Sequence, residues 1–103
     1  MSSEIKPLFI PLKKTYYEQF VDGSKSVEYR KYGPGWNERT CIVGRSVVIS
    51  LGYSKNRRSR GVIRSFDVID SSNIPSAREV YGVAKINLAA IGIELTEIDF
   101  QID

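Results

Sequence analysis

The chain has 103 residues, 42% apolar and 26% charged, with a net charge of +3, one cysteine and no histidine. That length supports one domain, residues 1–103, around one modest core; the lone cysteine forbids an internal disulfide, and the missing histidine argues against a zinc site, a zinc-dependent deaminase and Ser-His-Asp or Cys-His catalysis. No apolar run approaches the ~20 residues of a membrane span and no basic-then-apolar leader opens the chain, so we expect a cytoplasmic protein with no metal, no cofactor and no membrane partner.

Residues 7–12, Pro-Leu-Phe-Ile-Pro-Leu, form an apolar run between prolines and read as an edge strand, where a missing N–H is tolerated. Residues 13–22 read as a helix. Leu12, Tyr16 and Phe20 recur at intervals of four with Tyr17 and Val21 beside them, while Lys13, Lys14, Glu18 and Asp22 face away. Gly23 suits the left-handed residue that ends such a helix. Residues 26–32 alternate as a strand, with Val27 and Tyr29 on one face and Glu28 and Arg30 on the other. Gly-Pro-Gly makes residues 33–40 a loop. Residues 46–53 read as a strand carrying Val47, Ile49 and Leu51 on one face, and residues 54–60 as a basic loop. Residues 61–70 are a further strand, with Val62, Phe66 and Val68 on a common face, and residues 71–75 a turn. Ser76 and Glu79 form a capping box for a short helix over residues 76–82. Residues 91–102 read as a closing strand whose inward positions change parity between Leu95 and Ile98, which demands a bulge or bend. This order predicts an α+β fold, a small mixed β-barrel with about two flanking helices.

The charge is unevenly spread. Residues 1–24 are neutral, residues 25–64 hold ten basic groups against two acids, and residues 65–103 hold two basic groups against seven acids. A basic middle is the footprint of a phosphate-bearing partner. Its alternative is a solvated surface whose basic and acidic halves pair with each other in the fold.

Within the basic middle, residues 23–30 read Gly-Ser-Lys-Ser-Val-Glu-Tyr-Arg. Three charges at the start of a strand are costly on a small barrel wall unless they are paired or used. Glu28 and Arg30, two apart, share a face and can pair. Lys25 and Glu28, three apart, converge only if Lys25 still belongs to the turn after Gly23. Such a group could hold a polar ligand between a carboxylate and a guanidinium fork, or be a plain surface ion pair worth about 0–1 kcal/mol.

The spacing Gly23-x-Lys25-x-x-Glu28-x-Arg30, placed after a helix and at the start of a strand, resembles the signature of the ASCH domain, a small PUA-like β-barrel. The resemblance implies binding of RNA or a modified nucleoside in a cleft lined by this motif. Some bacterial members of that family are implicated as amidohydrolases on N4-acetylcytidine and others in RNA cleavage. In the amidohydrolase branch the lysine matching Lys25 is catalytic and a hydroxyl residue stands where this chain has Glu28. A later acidic residue also serves that branch, and Glu79 is a candidate counterpart. On that reading Lys25 would be nucleophile or base, Glu28 or Glu79 a proton relay and Arg30 an oxyanion partner. A lysine held beside a carboxylate favours binding over catalysis.

Aromatic rings accompany the basic segment. Trp36 and Tyr53 are candidate platforms for a stacked base, with Trp36 alternatively an anchor folding its loop onto the barrel. Tyr16 and Tyr17 read as core. Lys55, Arg57, Arg58 and Arg60 are candidate phosphate contacts. Cys41 reads as a small buried hydrophobe, since no histidine can activate it. The sequence therefore favours an RNA- or nucleoside-binding domain with a pocket of Lys25, Glu28 and Arg30. A small metal-independent amidohydrolase on an acylated nucleoside is the second reading, and a protein-interaction module using the basic loop the third. Nothing in the pattern sets an oligomeric state.

Overall fold

Apolar residues at alternate positions need a covered face, and in this chain five strands provide it by curling around one helix. The computed structural model describes residues 5–74 and 85–100. Its elements are β1 (Leu8–Leu12), α1 (Lys14–Asp22), β2 (Val27–Lys31), β3 (Ser46–Leu51), β4 (Arg58–Asp70), a 3₁₀ turn (Ser71–Asn73) and β5 (Asn87–Glu97). The strands form one mixed half-barrel sheet in the order β1-β3-β4-β5-β2, with β1 parallel to β3 and the other neighbours antiparallel. Among the described residues no helix is long and apolar enough to cross a membrane.

The core gathers Ile10 and Leu12 of β1, Tyr17 and Phe20 of α1, Val47 and Ile49 of β3, Ile63 of β4 and Ile91 and Ile93 of β5, with Cys41 buried among them. The helix face expected from Tyr16, Tyr17 and Phe20 is the face that packs, and Cys41 is the buried hydrophobe the sequence suggests. Gly23 ends α1 at φ 88°, and its N–H reaches Phe20 O.

β1 lies at a sheet edge, as its prolines predict. The Gly52 N–H donates to Leu12 O at 2.8 Å. In a parallel ladder alternate residues bond the same neighbour, so Leu8, Ile10 and Leu12 turn their backbone toward β3, and Phe9 and Pro11 turn theirs outward. The N–H that Pro11 lacks would have met no partner strand.

Three expectations shift. The loop expected over residues 54–60 ends earlier, because Arg58, Ser59 and Arg60 already pair with β3. The shared face expected for Val62, Phe66 and Val68 does not form. Ile63 pairs Ile93 while Ser65 pairs Gly92, leaving Arg64 as an extra residue that reverses the parity, so Phe66 and Val68 follow buried Ile63 on one face and Val62 lies on the other; Phe66 packs against the core and Val68 is exposed. The closing strand begins at Asn87 rather than residue 91. Leu88 to Ile93 are all buried, so this stretch has no alternation to read, as in strands covered on both faces.

The parity break expected after Leu95 is present. Leu95 pairs Gly61 and Glu97 pairs Arg60, so Thr96 is the extra residue. The strand then stops, Ile98 is exposed, and Asp99 turns at φ 49°. Gly61 permits this crossing, since a Cβ there would lie 2.6 Å from the backbone oxygen of Glu94. The helix expected over residues 76–82, with Glu79, lies outside the described residues, as does the end of the expected closing strand at residues 101–102.

Candidate functional site

The end of α1 sets the first cluster. After Gly23 the chain doubles back, with Ser24 N–H on the Asp22 carboxylate at 2.7 Å and Lys25 N–H on Gln19 O at 3.1 Å. Lys25 thus belongs to the turn, and its side chain folds back over the helix. Its Nζ lies 5.0 Å from the ring centre of Tyr16, 5.7 Å from Phe20 and 5.4 Å from Tyr29. Three ring faces around one ammonium attract it through their quadrupoles.

Glu28 follows one turn-width later, on the inward face of β2. Its side chain is only 9% exposed, and it sits between two cations. Lys25 Nζ lies 3.7 Å from Oε1, and Arg30 Nε donates to Oε2 at 2.8 Å. Arg30 reaches further. Its Nη2 donates to Pro11 O at 2.6 Å, and its guanidinium carbon lies 4.9 Å from the Trp36 ring centre. Because β1 and β2 are the two outer strands of the sheet, Arg30 bridges the seam at which the curled sheet approaches itself. The three charges expected to converge do converge, and they sum to +1.

Trp36 is held in place by its loop. Gly33 and Trp36 exchange backbone bonds of 3.1 and 3.2 Å. Buried Asn37 organises the rest, donating to Gly33 O and Pro34 O and accepting from the N–H groups of Arg39 and Thr40. Trp36 packs against the core, with one face under Arg30. This is the anchoring role the sequence offered as its alternative. At the exposed rim, Tyr32 donates a hydrogen bond to Glu38, which holds that carboxyl below its usual range.

The other residues named from sequence gather elsewhere. Tyr53 is 80% exposed on the β3–β4 turn, with its ring centre 6.1 Å from that of Phe9. It lies apart from the Lys25 cluster in the contacts it makes. Lys55 is exposed on the same turn. Arg58 stacks over Phe9 at 5.0 Å and donates from Nε to Ser54 O at 3.0 Å. Arg60 pairs with Glu97 at 2.7 Å and lies 3.8 Å from the Phe100 ring centre. Arg57 pairs with Asp99 through Nε at 3.1 Å. Two of the four candidate phosphate contacts, Arg57 and Arg60, are therefore matched by acids of the C-terminal third, as the alternative reading of the charge asymmetry expects.

Asp99 was not singled out from sequence, yet it centres a second cluster. Tyr17 donates to its Oδ1 at 2.6 Å. The Tyr17 oxygen also lies 2.9 Å from Ser59 Oγ, and Asp99 N–H donates to Ser59 Oγ at 2.9 Å. Since the single Tyr17 proton points at Asp99, Ser59 supplies the proton between the two hydroxyls. Burial, then the Asp99 carboxylate, push the Tyr17 phenol up to about 12. The Arg57 hydrogen bond, then that of Tyr17, hold Asp99 below the usual carboxylate range. No spacing signal links residues 17, 57, 59 and 99. The one local hint is the parity break that places a turn after Leu95.

No protein-family model matches the chain, and a search of the curated proteins returns no match.

Proposed function

We propose that the chain is an RNA- or modified-nucleoside-binding domain of the ASCH kind, and that Lys25, Glu28 and Arg30 form its ligand site. The observation carrying this reading is the convergence of an ammonium, a carboxylate and a guanidinium at the sheet seam. Burying such a group adds little stability over an apolar substitute, so stability alone does not account for it. The cluster is net positive, and Arg30 spends only Nε and Nη2 on protein acceptors among the described residues. Nη1 is left to donate to a base carbonyl or a phosphate oxygen, while the Trp36 face orients the fork.

Lys25 acts here as a positioned cation. Its ammonium is held by three rings and a carboxylate, which suits recognition of electron-rich groups rather than nucleophilic attack. Titration of labelled single-stranded RNA by fluorescence anisotropy at several salt concentrations tests the reading. We expect affinity to fall linearly in log-log form with salt, and Lys25→Ala or Arg30→Ala to weaken it about tenfold with the circular dichroism spectrum kept. Release of acetate from N4-acetylcytidine, abolished in Lys25→Ala, would replace binding by amide hydrolysis. Salt-independent or absent RNA binding, together with neither binding nor hydrolysis of N4-acetylcytidine, would overturn both.

A further inference from the structure

A second surface lies on the outer face of the sheet. The inward residues of this region are Ile10 and Leu12 on β1, Val47 and Ile49 on β3, and Ser59 and Gly61 on β4. Phe9, Val48, Arg58 and Arg60 therefore share the opposite face, in register across three strands. Tyr53, from the β3–β4 turn, lies beside Phe9 with its ring tilted by 38°. The guanidinium of Arg58 stacks on Phe9 and is fixed there through Ser54 O.

Two features point to an occupant. Tyr53 leaves most of an aromatic ring in water, and flat exposed aromatics beside guanidinium groups offer a stacking surface for bases. Arg58 also differs from Arg57, Arg60 and Arg64, each of which has a carboxylate partner. Among the described residues Arg58 has none, and Lys55 on the same turn is exposed. The patch thus combines π faces with unmatched positive charge, complementary to a base and its phosphate. An uncharged apolar partner would gain nothing from the arginine.

The surface is linked to the charged cluster by β1. Phe9 belongs to the stack, and the carbonyl of Pro11, two residues or about 7 Å along the strand, receives Arg30. We propose that Phe9, Tyr53 and Arg58 form a stacking platform for single-stranded nucleic acid, so that the partner is a polynucleotide and not a free nucleoside. The proposal rests on the reading of the Lys25 cluster only for the choice between those two ligands.

The test compares a ~10-nucleotide single-stranded RNA of mixed sequence with cytidine monophosphate, for the wild type, Tyr53→Ala, Arg58→Ala and Lys25→Ala. Tyr53 is exposed, so its loss leaves the core intact. We expect Tyr53→Ala to weaken the decamer roughly five- to hundredfold, with the mononucleotide unchanged. We expect Lys25→Ala to weaken both. If Tyr53→Ala and Arg58→Ala each leave decamer affinity within twofold, the platform is overturned, whatever Lys25→Ala does. If Tyr53→Ala weakens the decamer and Lys25→Ala changes nothing, the platform stands and the Lys25 site fails. Binding of polyglutamate that depends on Arg58, with no RNA binding, would assign the patch to an acidic protein and overturn the proposal.

Discussion

Two polar clusters in this molecule use the same chemistry to different ends. In the Lys25 cluster, three charges from six consecutive residues meet under aromatic rings. In the Asp99 cluster, Tyr17, Arg57, Ser59 and Asp99 come from α1, the β3–β4 turn, the start of β4 and the turn after β5. Each centres on a carboxylate that receives a guanidinium. The Asp99 cluster closes on itself: the Tyr17 proton meets Asp99, the Ser59 proton meets Tyr17, and the Asp99 N–H meets Ser59. Among the described residues the Lys25 cluster stays open, with excess positive charge and a guanidinium nitrogen unspent. A closed ring between distant segments holds a fold together; an open one within a short segment is suited to a partner.

The largest effect expected from this contrast is at Glu28. Removing a buried carboxylate leaves two cations facing each other, so Glu28→Ala should lower stability by about 3 kcal/mol in urea unfolding. A loss below about 1 kcal/mol would mean that the cluster behaves as an exposed pair.

The Asp99 cluster should show itself through pH. Burial, then the Asp99 carboxylate, push the folded Tyr17 phenol from its ordinary value of 10.0 up to about 12. The folded state therefore keeps a proton the unfolded chain releases, and the resulting stability is complete below pH 10.0 and disappears as pH rises through about 12. That rise in the phenol's value corresponds to a contribution of about 3 kcal/mol. Alkaline denaturation of Tyr17→Phe should be shallower than that of the wild type across that window; parallel curves would break the ring. Asp99 has the opposite sign. Its depressed value adds stability above the unfolded carboxylate range, lost as pH falls through the folded value, and Asp99→Asn should flatten that acid limb.

At neutral pH Tyr17→Phe removes one hydroxyl from a bonded set and should cost about 1 kcal/mol by urea midpoint. The smallest effect belongs to an ordinary surface pair. Arg64 and Glu94 are 58% and 60% exposed, and Arg64→Ala should change stability by about 0–0.5 kcal/mol. A larger change would show that the bulge at Arg64, rather than the ion pair, carries the difference.

Elements whose signal is local were legible in the sequence. The four-residue rhythm of Leu12, Tyr16 and Phe20 placed α1, Gly23 ended it, and the prolines put β1 at an edge. Glu28 and Arg30 share a face because a strand has period two. Where an extra residue interrupts that period, as at Arg64, counting from Val62 to Val68 fails, since alternation cannot reveal which strand opposes which. Leu88 to Ile93 hid their strand for a related reason: burial on both faces erases alternation.

Length, composition and local spacing account for the inventory: a 103-residue chain without histidine, a basic middle, and a charged segment able to converge because its members are neighbours. What those groups meet depends on the packed sheet. Sheet closure brought the Pro11 carbonyl to Arg30, curvature put Asp99 on Tyr17, and pairing of β4 with β5 matched Arg60 with Glu97. These contacts span 19, 82 and 37 residues and follow from strand order and register, which depend on the whole core packing at once rather than on any local stretch of chain.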